Sequence, residues 1–285
     1  MMGYLCAAGS AVLYGLLPFL SVVFYGGGGS PLLLVALRFL LSSLFFLILS
    51  QVRKNSLRVG KGKILQIFVL AQGYMLTNLL LSLSYEYIPT GMATAIHFIY
   101  PILVLLVCTV LFKERLTGTG ILCALLGVAG VACFYTPQGT ASVPGMIMAL
   151  GSAFAYAFYV IFDDKAGLSE MPPLSFGFYL SVFCGLEGIL AASLSGEMSV
   201  NLSISAWLSV TAVAAGPTVL SVLLVQLGLA RIGAGKVSFL STFEPLTSAV
   251  LGIFLLDESV TLFTGLGIAC ILLSAVLLAA GKECK

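Results

Sequence analysis

The chain has 285 residues, 60% of them hydrophobic and only 8% charged, with a mean hydropathy of +1.15 and a formal net charge of +2. Soluble domains carry ~25% charged residues, so a water-soluble fold is excluded, and there is no basic patch on which nucleic acid would sit. Seven cysteines (Cys6, Cys108, Cys123, Cys133, Cys184, Cys270, Cys284) lie scattered, mostly in apolar runs, with no CxxC pair; they read as small packing residues rather than a disulfide framework or a metal site.

Ten apolar segments of spanning length follow one another, at about 2–25, 30–51, 62–84, 88–112, 118–136, 144–164, 173–195, 205–227, 234–256 and 261–281. Gly/Pro/Ser-rich or charged breaks separate them, as at Gly26–Pro31, Arg53–Lys63, Thr136–Pro144 and Pro172–Pro173. The expected fold is an all-α integral membrane protein of ten transmembrane helices. With the N-terminus inside, the inner loops and tail hold Arg53, Lys54, Arg58, Lys61, Lys63, Lys113, Arg115, Lys165, Arg231, Lys236, Lys282 and Lys285, twelve of the thirteen basic residues. The outer loops hold none. Lys/Arg bias sets orientation, so both termini are expected on the cytoplasmic side of the cytoplasmic membrane.

The chain repeats itself. Residues 3–15 align without gaps on 145–157, with six identities in thirteen: Gly3, Ala7, Gly9, Ser10, Ala11 and Tyr14 recur as Gly145, Ala149, Gly151, Ser152, Ala153 and Tyr156. Residues 85–117 align on 229–261, pairing Ile88, Gly91, Pro101, Glu114 and Thr117 with Ile232, Gly235, Pro245, Glu258 and Thr261. Two units are expected, 2–136 and 144–281, each of five spans. An odd number of spans makes the units inverted, and inverted repeats with unusual helices at matching positions mark alternating-access transporters.

Few polar groups lie inside the spans. Tyr14 and Tyr156 recur in the first helix of each unit, and Asn78, Gln72 and Gln226 are further candidates to line a cavity or to join helices. Arg38 lies about seven residues, or ~10 Å, inside the second span. Its planar fork suits an anionic substrate group; the alternatives are snorkelling or an internal pair with Glu187, itself otherwise a plain interfacial acid. His97, the single histidine, offers a proton shuttle, a carboxylate ligand or an inter-helix hydrogen bond, with Thr90, Thr94 and Pro101 on roughly its face.

The stretch Ala234–Glu258 places Glu244 ~14 Å deep, near the midplane of a ~30 Å core, with Pro245 next to it. An acid there costs several kcal/mol unless it is protonated, paired or facing water. Proline withholds an N–H and pushes its predecessor from helical geometry, so a kink is expected. Pro101 and Pro245 are the candidate hinges. Glu244 then pairs with a substrate cation, carries a coupling proton, or hydrogen-bonds across helices as a structural piece. Tyr100 occupies its repeat position, and Ser241 and Ser248 flank it at minus three and plus four, one polar stripe toward a cavity. Glu114 and Glu258 stand at membrane faces and read as caps or surface charges.

ALRFLLSSLFF (36–46), SYEYIPTGMATAIHFIYP (84–101) and FLSTFEPLTSAVLGIFLLDESVT (239–261), with ten spans in two repeats, resemble the EamA-type permeases of the drug/metabolite transporter superfamily. Tyr14 and Tyr156 depart from the tryptophan frequent at that position. The resemblance implies a basket of helices around a central cavity, and export or uptake of small metabolites, often amino acids. The expected function is therefore a secondary transporter of amino acids or similar amphiphilic metabolites, working outward by alternating access, with export of cationic or aromatic drug-like compounds as the alternative. Substrate contacts are expected from Glu244, Arg38, His97, Tyr100, Tyr14, Tyr156, Asn78 and Ser241, and coupling from Glu244 or His97. No phosphate loop, HExxH or GxSxG occurs, so neither a pump nor an enzyme is expected. No cofactor is called for; the partners are a small-molecule substrate, the lipid bilayer and a coupling proton, in a monomer or a homodimer.

Overall fold

The computed structural model describes residues 1–111, 113, 118–134, 142–168, 170–198, 201–232, 237, 240–259 and 261–280. Glu114, Arg115, residues 137–141, Ala234, Lys236, and Lys282, Cys284 and Lys285 of the tail lie outside these residues. All regular structure among the described residues is helical. The helices are α1 (Met2–Gly15), α2 (Leu17–Gly26), α3 (Pro31–Val52), α4 (Lys61–Ser84), α5 (Thr90–His97), α6 (Tyr100–Leu111), α7 (Gly118–Phe134), α8 (Val143–Ala166), α9 (Pro173–Leu194), α10 (Ile204–Val213), α11 (Ser221–Ile232), α12 (Phe243–Leu255) and α13 (Leu262–Ala280), with a π-helical segment, Ala214–Leu220, joining α10 to α11. Among the described residues, seven stretches are long and apolar enough to cross a bilayer, namely α1–α2, α3, α4, α5–α6, α8, α9 and α10–α11; α7, α12 and α13 add three shorter apolar helices. Together they make ten segments.

Local chemistry starts and stops these helices. Ser30 Oγ accepts from Leu33 N (3.2 Å) ahead of Pro31, and Ser203 Oγ accepts from Ala206 N (3.2 Å), so both helices begin with a satisfied donor and a hydroxyl cap. At the end of α8, Gly167 takes the left-handed conformation (φ 59°) that closes a helix at little steric cost.

Loop contacts sort the helix ends into two groups. At one end, Ser203 N donates to Gly27 O (3.0 Å), and Thr90 N donates to Glu258 Oε1 (2.7 Å). Glu86 sits at this end too; burial, and then the like charge of Glu197, push its carboxyl above the usual carboxylate range. At the other end, Lys63 Nζ donates to Ala166 O (2.7 Å) and Gly167 O (3.2 Å), and Ser175 Oγ donates to Ser56 O (3.3 Å). The loops near 27, 86, 197 and 258 therefore share one face of the bundle, and those near 56, 63, 166 and 175 share the other. Glu258 is a cap on α5, as its position implied. The described cysteines are all free thiols.

The helices interlock between the two halves of the chain. The broadest packing joins α3 to α9, α4 to α8, α1 to α11, and α7 to α13. Gly3 lies against Arg231 and Ile232, where a Cβ would meet side-chain carbons at 2.8 and 2.7 Å; Gly145 lies against Tyr87 and Ile88, at 2.7 and 2.9 Å. Tyr87 and Ile88 are the repeat positions of Arg231 and Ile232, so the same close approach is built twice.

The tightest helix pair allows a direct test. A Cβ on Gly188 of α9 would lie 2.7 Å from Ala36 Cα and 2.9 Å from Ala36 N of α3, backbone atoms with nowhere to go. Gly188→Val should lower stability by about 1–3 kcal/mol or more through overpacking, seen as an earlier thermal unfolding of the detergent-solubilised protein. Gly26→Val, where nothing lies within 4 Å, is the control. Equal melting of the two variants would remove the α3–α9 contact from the account.

Candidate functional site

The centre of the bundle is hollow. A large chamber of about 420 Å³ runs toward the end marked by Asp163, Met171 and Pro173, and a small chamber of about 90 Å³ lies on the other side, beneath Leu81, Ser82 and Tyr85. Both are lined by Tyr14, Tyr74, Tyr100, Tyr156 and Glu244, which form the layer between them. The sequence-derived residues gather here. Arg38, His97 and Asn78 line the small chamber only, and Ser241 and Gln226 line the large one only.

Proline breaks put this layer where it is. Pro101 has no N–H for the His97 carbonyl, and Ile99 N bonds Ile96 O (3.1 Å) in a tightened turn, so α5 ends at His97 and α6 restarts at Tyr100. In the other half the break falls at Thr242, the repeat position of Phe98, and α12 starts at Phe243 with Glu244 in its first turn and Pro245 buried. The expected kinks appear as breaks of one or two residues, Phe98–Ile99 in one half and Thr242 in the other. They bring Tyr100 and Glu244 to the same layer from opposite halves.

A third break was not expected. Pro217 lies in the π-helical segment, where it cannot bond the Val213 carbonyl; Thr218 Oγ1 donates to that carbonyl instead (3.0 Å). With its proton committed, Thr218 Oγ1 accepts from Arg38 Nε (2.7 Å), while Asn78 Oδ1 accepts from Arg38 Nη1 (2.8 Å). Asn78 is itself fixed by donating from Nδ2 to Tyr74 O (2.7 Å). The guanidinium carbon also stands 4.9 Å from the Phe39 ring centroid, within cation–π range. Arg38 is only 2% exposed, and a charge so buried needs these partners.

The pair Arg38–Glu187 does not form. Gln72 Nε2 donates to Glu187 Oε1 on the outer surface of the bundle, and neither Gln72 nor Glu187 lines a chamber. Glu187 is turned ~100° around α9 from Gly188 and its Ala36 contact, toward Gln72, which is why its distance along the span alone misplaced it. Gln72 takes the second of its two expected roles: it lines neither chamber and joins helices, tying α4 to α9 through Glu187. Ser248 leaves the polar stripe as well: it is buried and its Oγ meets Thr94 Oγ1 (3.1 Å), joining α12 to α5.

Around the layer the aromatic rings touch in sequence. His97 lies 5.3 Å from Tyr156, Tyr156 stacks on Tyr159 at 5.3 Å, Tyr159 meets Tyr74 at 4.9 Å, and Tyr74 meets Phe39 at 5.6 Å. Tyr100 closes edge-on against Tyr156 at 4.6 Å. His97 Nδ1 is 2.9 Å from Ser152 Oγ, whose own proton goes to Ala149 O (2.6 Å). The imidazole is therefore the donor in that contact, and in its neutral form Nε2 is left as an acceptor. Glu244 retains accessible surface, and none of the described residues hydrogen-bonds its carboxyl. The large chamber adds a second acid, Asp163, near its mouth.

Tyr74, Tyr159, Asp163 and Thr218 were not picked out from sequence. Tyr156, Tyr159 and Asp163 recur at i, i+3 and i+7, and Tyr74 and Asn78 at i and i+4; this shared-face spacing is the signal that would have found them. Thr218 is marked by following a proline within an apolar span.

The family description "EamA-like transporter family" matches residues 1–136 and again 143–280. Among curated proteins, the chain is 25% identical over 258 residues to "Uncharacterized transporter YvbV" of Bacillus subtilis (strain 168), covering 87% of this chain and 82% of that one. It is 27% identical over 252 residues to "Uncharacterized transporter YdfC" of the same organism, covering 84% and 79%. A solved crystal structure superposes with a TM-score of 0.70 at 20% identity, over 97% of this chain and 96% of the other, a likeness of fold. The two-chambered bundle of proline-broken helices is thus that of a transporter, and the chain belongs to the EamA-like transporter family of the drug/metabolite transporter superfamily.

Proposed function

We propose that this transporter is a secondary carrier of amino acids or related small amphiphilic metabolites, working by alternating access across the cytoplasmic membrane in the outward direction. One observation carries the substrate class: a guanidinium and a carboxyl, Arg38 and Glu244, face the same small chamber without a salt bridge between them. A zwitterion fits such a pair, its carboxylate toward Arg38 and its ammonium toward Glu244 and the tyrosines. Its apolar part then lies toward the large chamber, among Phe39, Phe46, Tyr159 and Phe176. The basic loops near Lys63 and Arg58 lie at the large-chamber end, so the positive-inside bias turns that chamber to the cytoplasm. That orientation supports loading from inside.

A second reading has its own support. Both charged residues lining the large chamber, Asp163 and Glu244, are acids, and eight of its lining residues are aromatic. That surface suits an organic cation without a carboxylate.

Arg38→Lys separates the two. Replacing a charge-assisted hydrogen bond of the planar fork should weaken carboxylate-bearing substrates roughly 10–100-fold, measured by substrate binding or counterflow in proteoliposomes. Organic cations should be unaffected. Should zwitterion affinity stay at the wild-type value while Arg38→Ala destroys membrane yield, Arg38 is part of the wall that Asn78 and Thr218 build, and the first reading fails.

Glu244→Gln tests the carrier mechanism. The amide keeps size and most hydrogen bonding but cannot ionise, so the protein should insert and purify normally while net transport, its pH dependence, or both are lost. Wild-type flux with an unchanged pH profile would leave Glu244 without a part in coupling or recognition. Orientation is tested separately: a single cysteine at position 58 should react with an impermeant reagent only in inside-out vesicles, and labelling from outside intact cells would reverse the scheme.

A further inference from the structure

We infer that Asp163 is a second binding subsite, at the mouth of the large chamber, for a cation carried at the far end of the substrate's side chain. The inference rests on the zwitterion reading of Arg38 and Glu244 and extends it to amino acids with a basic side chain. Asp163 lines the large chamber close to Ala166, the last residue of α8. Its Oδ1 is buried, and no described residue hydrogen-bonds it. Lys63, the cation that reaches the end of α8, directs its donors elsewhere, to Ala166 O (2.7 Å) and Gly167 O (3.2 Å). The salt bridge found among the described residues joins Lys165 to the neighbouring Asp164 (3.6 Å). A carboxyl oxygen buried at a chamber wall without a donor is an incomplete site.

The other half of the chain shows that the fold does not need this acid. In the register that pairs Tyr14 with Tyr156, Leu17 stands where Tyr159 does and Ser21 where Asp163 does. Ser21 is fully buried and lines neither chamber, and its hydroxyl donates to Leu17 O (2.8 Å) within its own helix. That position is closed on itself; its counterpart is left open to a ligand. Tyr156, Tyr159 and Asp163 share one stripe of α8. Asp163 stands ~10 Å beyond Tyr156 along the helix, and Tyr156 belongs to the layer that holds Glu244. A stem of about four methylenes, with a charge-assisted hydrogen bond of ~2.8 Å at each end, spans that interval. Tyr159 lies between the two levels and offers the stem an apolar wall and the cation an aromatic face. The substrate class is therefore an α-amino acid with a terminal ammonium or guanidinium: carboxylate at Arg38, α-ammonium at Glu244, distal cation at Asp163.

The test compares equilibrium binding of L-lysine and L-norleucine to the purified full chain, since the two share a side-chain carbon skeleton and differ in the terminal ammonium. Wild type should bind L-lysine roughly 10–100-fold more tightly, the range for one hydrogen bond between charged groups. Asp163→Asn should erase that difference and leave L-norleucine binding as it was. Asp164→Asn, on the exposed neighbour, should preserve the difference. Because no described residue bonds Asp163 Oδ1, Asp163→Asn should not lower the thermal midpoint of the ligand-free protein. A clearly lowered midpoint marks a structural acid and overturns the inference. So does an Asp163→Asn protein that still prefers L-lysine. If L-norleucine binds and depends on Arg38 while L-lysine binds no more tightly, this inference fails alone. If neither amino acid binds, the zwitterion reading fails and the inference falls with it.

Discussion

A carbonyl that loses its helical partner inside a membrane has no water to turn to, and the rest of this structure depends on where three prolines create such losses and how the chain turns around them. Each follows from a proline. At Pro101 the chain tightens through Ile99 N to Ile96 O and restarts one turn on. At Pro245 the helix begins just ahead of the proline, where a missing N–H is tolerated. At Pro217 the turn widens and a side chain, Thr218, takes the Val213 carbonyl. All three breaks lie at buried positions, beside His97, Thr242 and Thr218, where polar groups are allowed.

The third repair also explains how a guanidinium survives in the core. Thr218 becomes an oriented acceptor because its proton is committed, and Asn78 is oriented in the same way by the Tyr74 carbonyl. Two neutral oxygens and an aromatic face thus hold Arg38, in place of a carboxylate. That choice matters for the chamber. A salt bridge would have neutralised Arg38 within the wall; neutral partners leave its charge available, and they leave Glu244 without a hydrogen bond from the described residues. A guanidinium and a carboxyl remain on one cavity without pairing.

The sequence made most of this fold legible because lipid imposes hard rules: span length, loop charge and the register of the repeats are properties of the chain read one residue at a time. The layer residues Tyr14, Tyr100, Tyr156 and Glu244 were legible for the same reason, since depth along a span follows from counting at 1.5 Å per residue. Which way a side chain points around the helix does not. Arg38 and Glu187 share a depth, yet they lie on different sides of the α3–α9 contact that Gly188 sets. Gln72 and Asn78 are six residues apart on α4 and face opposite ways, one to lipid and one to Arg38. In an all-apolar helix there is no polar stripe to fix rotation, so azimuth emerges only from packing between the halves. Thr218 was hidden for a different reason: its role exists only once the π-helical turn has formed.

The two halves are alike in path and unlike in chemistry, and the difference falls on the layer between the chambers. Their breaks coincide at Phe98 and Thr242, their first helices dock through Gly3 and Gly145 in the same manner, and their fourth spans enter the layer at equivalent positions. Yet one brings the Tyr100 phenol and the other the Glu244 carboxyl. If access alternates by exchange of shape between the repeats, the path is conserved by the exchange and the charge is not. The acid stays at the layer, facing about 420 Å³ of space on one side and about 90 Å³ on the other, and in such an exchange its hydration would change as those volumes trade places. Ionising a carboxyl depends on that hydration more than on any other feature of the site. On the proposed alternating-access cycle, an asymmetric pair at a symmetric position would let a conformational change be felt as a change of charge.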